Sequence, residues 1–152
     1  MLTISRFFRF FIKFPHRFNF SYLFFFKLTK KKSPLVKKKL LVAHQENKSN
    51  LNPDYPIELL PDKVPFVSYP YEWTFNQLKD AAILTLEINK IALEHGMILK
   101  DASAFNVQFV GPNPIFIDTA SFIIYEEGQA WSAYQQFCRH FLSTLALSQY
   151  GD

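Results

Sequence analysis

The chain has 152 residues, enough for one domain with a core that is stable without covalent staples and too few for two full ones. Its single cysteine, Cys138, excludes an internal disulfide framework and a multi-cysteine zinc site, and an inert, buried thiol is the default reading. The formal charge of +4 hides a division: eleven basic residues, Arg6 through Lys39, precede the first acid, Glu46, while the rest of the chain sets six bases against thirteen acids. With the basic residues confined to one end and the remainder acidic, no nucleic-acid partner is expected.

The opening MLTISRFFRFFIKFPHRFNFSYLFFFKLTKKKSPLVKKK carries ten phenylalanines before residue 27, broken by Arg6, Arg9, Lys13 and Arg17. No apolar run approaches the roughly 20 residues of a spanning helix. No clean apolar stretch leads to a small-residue cleavage site either. Three readings stand side by side. Rings could enter a membrane surface while the lysine runs attract anionic headgroups. The segment could be an organelle-targeting extension, being basic and free of acid. Or it is AT-rich upstream DNA read in frame, since phenylalanine and lysine codons are both AT-rich and the runs show neither helical nor strand period. Residues 1–39 are thus set apart as an irregular extension, disordered or not native coding. A cytoplasmic protein is expected, with a route to the membrane surface through this segment.

Residues 40–73 read as a proline-rich irregular segment. The polar stretch HQENKSNLNPDYP, His44 to Pro56, predicts a loop or linker. After it, PIELLPDKVPFVSYPYEW has a proline every few residues, which leaves extended pieces and makes Tyr69, Tyr71 and Trp73 ring-packing anchors. The third unit, 74–152, opens with Thr74 and Gln77 spaced as a capping box. Leu78, Ala81, Ala82, Thr85, Ile88 and Ala92 then recur at helical spacing as a core stripe, ended by Gly96. His95, just before it, is a surface or capping histidine. VQFV, GPNP and IFID have the lengths and turn chemistry of a tight hairpin. In the tail, Trp131, Tyr134, Phe137, Cys138, Phe141, Leu142 and Leu145 form a second helical stripe that needs a cover, which suggests a truncated chain.

Three polar residues sit at the ends of these elements. Asp101 lies in the loop entering the hairpin, Asn106 starts its first arm and Asp118 closes the second. The two ends of a hairpin lie together, so Asn106 and Asp118 can face each other and offer oxygen to a hard cation, with Asp101 nearby. The plain structural reading is that such residues cap turns.

The pattern Asp101-x-x-x-x-Asn106, a hairpin, then Ile117-Asp118 resembles the catalytic and metal-binding segment of protein kinases and of the small-molecule kinases that share their fold. The resemblance implies an α+β fold, a partial protein-kinase-like C-lobe of helix, catalytic-loop-like hairpin and helix. It implies that Asp101 orients or deprotonates an acceptor hydroxyl and that Asn106 and Asp118 hold magnesium on ATP. The chain departs from that pattern at Leu99-Lys100 before the aspartate and at Thr119-Ala120 after the second one. It also has no glycine-rich nucleotide loop, its glycines being Gly96, Gly111, Gly128 and Gly151.

A second resemblance covers residues 57–152. SYPYEW, LKDASAFN and IDTASF are similar to the N-terminal region of larger bacterial proteins described as class I SAM-dependent methyltransferases, some of them labelled nodulation-related. In that family the methyltransferase domain follows downstream, so SAM belongs to that domain as a partner of this chain. The expected function is an accessory module that binds a nucleotide or a substrate, small molecule or protein, without methyl-transfer chemistry of its own. The alternatives are a phosphotransferase using Asp101, Asn106 and Asp118 with Mg-ATP, and a membrane-associated interaction protein.

Overall fold

The computed structural model describes residues 10–12, 27–30, 33–48 and 57–150. In chain order the elements are strand β1 (Phe10–Ile12), helix α1 (Pro34–Lys37), β2 (His44–Lys48), β3 (Ile57–Pro61), helix α2 (Phe75–Glu94) and β4 (Met97–Leu99). Then come β5 (Val107–Val110), β6 (Asn113–Phe116), β7 (Phe122–Ile124), helix α3 (Tyr134–Phe137), a π-helical turn (Cys138–Leu142) and helix α4 (Ser143–Tyr150). The architecture is α+β. Three small antiparallel sheets, ordered β1-β3-β2, β4-β7 and β5-β6, are combined with one long helix.

Helix α2 begins where the capping box places it. The Thr74 hydroxyl accepts the Gln77 N–H at 3.3 Å, and Gln77 Oε1 accepts the Thr74 N–H at 3.0 Å. At the other end Gly96 takes φ +71°, and the His95 ring donates from Nδ1 to the Ile91 carbonyl at 2.8 Å, a capping role. Every residue of the expected stripe is buried, joined by Leu84, Asn89 and Ile91. The stripe packs into a core that includes Leu41, Leu59, Leu99, Val107, Phe116 and Phe141.

Most of the expectation for residues 1–39 concerns 1–9, 13–26 and 31–32, which lie outside the described residues. Within the described part, the core reaches further toward the N-terminus than the composition break at residue 40 suggests. Leu28 and Leu35 are fully buried in the same apolar cluster as helix α2. Helix α1 carries its own punctuation among the lysines: Ser33 Oγ accepts the Val36 N–H at 3.2 Å, and Pro34 occupies the first turn. It ends in a Schellman motif, with Lys39 N–H bonded to Val36 O and Leu40 N–H to Leu35 O. Lys39 adopts φ +59° there, at a cost of roughly 1–2 kcal/mol against a glycine.

The loop expected at His44 to Pro56 is corrected in its first part. His44–Lys48 is a strand paired with Ile57–Pro61 from His44↔Pro61 to Lys48↔Ile57. It is polar because it lies at the sheet edge, where the backbone ladder holds it and Gln45, Glu46 and Asn47 face solvent. Among the three aromatic anchors, Trp73 packs edge-on against Phe109 with centroids 5.1 Å apart and donates to Ser68 Oγ at 2.8 Å. Tyr71 departs from the expectation: the 3₁₀ turn Pro70–Glu72 leaves it 75% exposed, stacked on Tyr69. The tail departs as well. Its helix starts at Tyr134, and the π turn shifts the register, so Phe137 and Phe141 are buried whereas Tyr134 and Leu142 are exposed. Among the described residues no helix is long and apolar enough to cross a membrane.

Two outcomes test this fold. A Leu28→Ala chain should lose about 2–5 kcal/mol of unfolding free energy in urea, because truncating a fully buried leucine leaves a cavity; an unchanged midpoint would place Leu28 outside the core. The second concerns His44, which is buried and whose ring nitrogens have no hydrogen-bond partner among the described residues. Burial pushes its pKa below the ordinary 6.5, against an opposing pull from Asp62. The unfolded chain then takes up a proton that the folded chain resists. The stabilisation is full above about pH 6.5 and is lost as pH falls from there through the folded value. Thermal melts between pH 7.5 and 5 should show a decline that His44→Leu reduces, and an equal decline in both chains would clear His44 of the effect.

Candidate functional site

Leu99, the last residue of β4, fixes the place where the polar residues gather. It stands opposite Phe122 in the β4–β7 register, and the flanking bonds are Lys100 N–H to Ser121 O at 2.9 Å and Tyr125 N–H to Gly96 O at 3.0 Å. Leu99 is therefore at a non-hydrogen-bonded position, with its own N–H and C=O turned away from β7. Both are satisfied from other elements: Asn89 Oδ1 of helix α2 accepts the N–H at 3.0 Å, and Trp131 Nε1 donates to the carbonyl at 2.7 Å. Leu99 is fully buried, so leaving either group unpaired would cost about 1–3 kcal/mol.

From this point the chain leaves β4 into the loop of Asp101, while the other strand of the ladder receives the turn of Asp118. Asp101 Oδ1 accepts the Ser103 N–H at 2.9 Å, and Ser103 Oγ in turn accepts the Phe105 N–H at 3.2 Å. A 3₁₀ turn, Ala104–Asn106, then delivers the chain to β5. The hairpin is tighter than its sequence suggests. The two-residue turn is Gly111-Pro112, with Gly111 at φ +61°, and the second arm starts at Asn113, giving Val107↔Phe116 at the base.

Just beyond that base the Ile117 N–H bonds to the Asn106 carbonyl at 2.8 Å, which ties the start of the first arm to the residue before Asp118. Asp118 caps the 3₁₀ turn Thr119–Ser121: its Oδ1 accepts the Ala120 N–H at 3.0 Å and its Oδ2 accepts the Ser121 hydroxyl. All three polar residues are half-buried. The Asn106 Nδ2 and the Thr119 Oγ1 are buried with no partner among the described residues. The structure thus brings Asp101 and Asp118 to one end of the β4–β7 ladder and Asn106 to the hairpin base beside it.

The turn-capping reading holds for both aspartates, and it is compatible with a further ligand. A carboxylate has about four lone-pair sites, and the bonds above leave Asp101 and Asp118 free acceptor capacity. Among the described residues no three His, Cys, Asp or Glu side chains gather as a metal site, so a cation here would depend on the Asn106 carboxamide beside carboxylates. Sequence reasoning missed four supporting residues: Asn89, Ser121, Gln136 and His140. Asn89 had a detectable signal, an amide at a helical position next to the stripe residue Ile88. The other three act through tertiary contacts that no spacing reveals.

No family model matches the chain. The nodulation protein NoeA of Rhizobium meliloti (strain 1021) is 45% identical to it over 86 residues. Those residues are 57% of this chain and 18% of NoeA, so the likeness concerns a small part of a much longer protein. It supports the nodulation-related kinship expected from the sequence. The relative's name speaks of nodulation and of neither methyl nor phosphoryl transfer.

Proposed function

We propose that this chain acts as an accessory module of a larger nodulation-related protein, binding a nucleotide or substrate at the Asp101, Asn106 and Asp118 end of the β4–β7 ladder. The observation that carries this reading is the buried Asn106 Nδ2, which has no partner among the described residues and lies at the hairpin base, where the Asn106 carbonyl accepts the N–H of Ile117, the residue before Asp118. A buried polar atom without a partner calls for an explanation, and a bound ligand is one. The 45% identity to a small part of NoeA supports a module that works beside other domains. Methyl transfer from SAM is assigned to such a downstream domain, because four scattered glycines offer no strand-to-helix turn for SAM here.

One observation favours a second reading, a kinase-like phosphotransferase. Helix α2, the loop of Asp101 and Asn106, the hairpin β5-β6 and then Asp118 follow one another in the order on which the resemblance to the kinase catalytic segment rests, and this supports the reading. On that reading Asn106 and Asp118 hold magnesium on the phosphates through oxygen, as suits a hard cation, and Asp101 orients the acceptor hydroxyl.

Thermal melts with and without Mg-ATP test both readings. A ligand that binds only the native state raises the melting temperature by mass action. Asp118→Asn should abolish the rise, whereas Asp101→Asn should keep it and remove any phosphate transfer to an acceptor. A rise that survives Asp118→Asn would move the site elsewhere. No rise in the parent chain would eliminate Mg-ATP as the ligand.

A further inference from the structure

The loop 101–106 is held by two alternating sets of hydrogen bonds. The Ser103 and Phe105 amides are satisfied within the loop, by Asp101 Oδ1 and Ser103 Oγ. The Ala102 and Ala104 amides are satisfied from outside it, by Gln136 Oε1 at 2.8 Å and His140 Nδ1 at 3.4 Å. Gln136 and His140 are four residues apart on the C-terminal helical segment, so they share a face. His140 lies within the π turn Cys138–Leu142, where the backbone hydrogen bonds run i→i+5 instead of i→i+4. Its ring also meets Ser103 Oγ at 3.4 Å and stands edge-on to Phe105 with centroids 6.3 Å apart. To accept from Ala104, Nδ1 must carry its lone pair, which places the ring proton on Nε2.

We infer that Gln136 and His140 are positioning residues, a clamp on the Ala102 and Ala104 amides through which the C-terminal helical segment sets where the Asp101 carboxylate stands. The geometry makes the coupling direct. Asp101 is bonded to the Ser103 N–H, and Ser103 lies between the two clamped amides. A shift of the π turn by one residue would move His140 relative to Gln136, which lies in helix α3 before it, and release the Ala104 side of the loop around the aspartate. The functional meaning of the clamp rests on the proposed role of Asp101, but the clamp itself can be tested without it.

The test uses the whole chain, with amide hydrogen exchange and the carboxyl ¹³C resonance of Asp101 read by NMR. Gln136→Met and His140→Leu remove the acceptors at similar size; Gln136→Glu and His140→Asn keep an acceptor in place. The expected result is at least tenfold faster exchange at Ala102 in Gln136→Met and at Ala104 in His140→Leu, with the amides of Ile88 and Ile91 in helix α2 unchanged. The Asp101 carboxyl signal should move in those two variants and stay in place in the two conservative ones. Unchanged exchange at Ala102 and Ala104, equal acceleration in helix α2, or an unmoved Asp101 signal would overturn the clamp. If the Met and Leu variants do not fold, the Glu and Asn variants decide, since retained protection supports the clamp and lost protection overturns it. A chain that passes these measurements yet shows no melting rise with Mg-ATP overturns the nucleotide reading alone.

Discussion

The main chain of Leu99 is where three parts of the structure meet. Its position in the β4–β7 ladder turns its N–H and C=O away from the partner strand, and two side chains far apart in sequence satisfy them, Asn89 from helix α2 and Trp131 from the segment before helix α3. Each bond is buried or partly buried, so losing either leaves a main-chain group without its partner. The direction in which the chain leaves β4 is thereby fixed, and with it the place of Asp101. The same ladder fixes where Ser121 lies, and so where the Asp118 turn ends.

This arrangement reconciles two roles that seem to compete at the polar end of the ladder. Asp101 and Asp118 cap turns, as short polar side chains at loop ends commonly do. Those bonds also hold each carboxylate in one orientation with acceptor capacity to spare, which is what a binding site needs from its ligating groups. Capping explains why the residues fold locally as they do. It does not explain the Asn106 Nδ2, which is buried beside the hairpin base without a partner among the described residues.

Much of this was legible in the sequence, for identifiable reasons. The start of helix α2 follows from Thr74 and Gln77, its end from Gly96, and its core face from the spacing of Leu78 through Ala92, all local signals. The hairpin was legible as well, though Gly111-Pro112 closes it and starts the second arm at Asn113, two residues earlier than the GPNP motif suggests. Two kinds of feature were not legible. Composition hid structure at Ser33-Pro34 and at Leu28 and Leu35, where lysine and phenylalanine runs mask a capped helix and two core leucines. Tertiary contacts hid the rest. Gln136 and His140 look like ordinary surface residues of a helix until the π turn and the loop amides are seen together.

The β4–β7 ladder and the two side chains on Leu99 together bring the Asp101 loop and the Asp118 turn to one end. Scalar couplings across hydrogen bonds, measured by NMR on labelled protein, test it most directly. The expected result is a coupling between the Lys100 amide nitrogen and the Ser121 carbonyl carbon, together with a slowly exchanging Leu99 amide whose protection is lost in Asn89→Leu. A rapidly exchanging Leu99 amide in the parent chain, with no Lys100–Ser121 coupling, would contradict it.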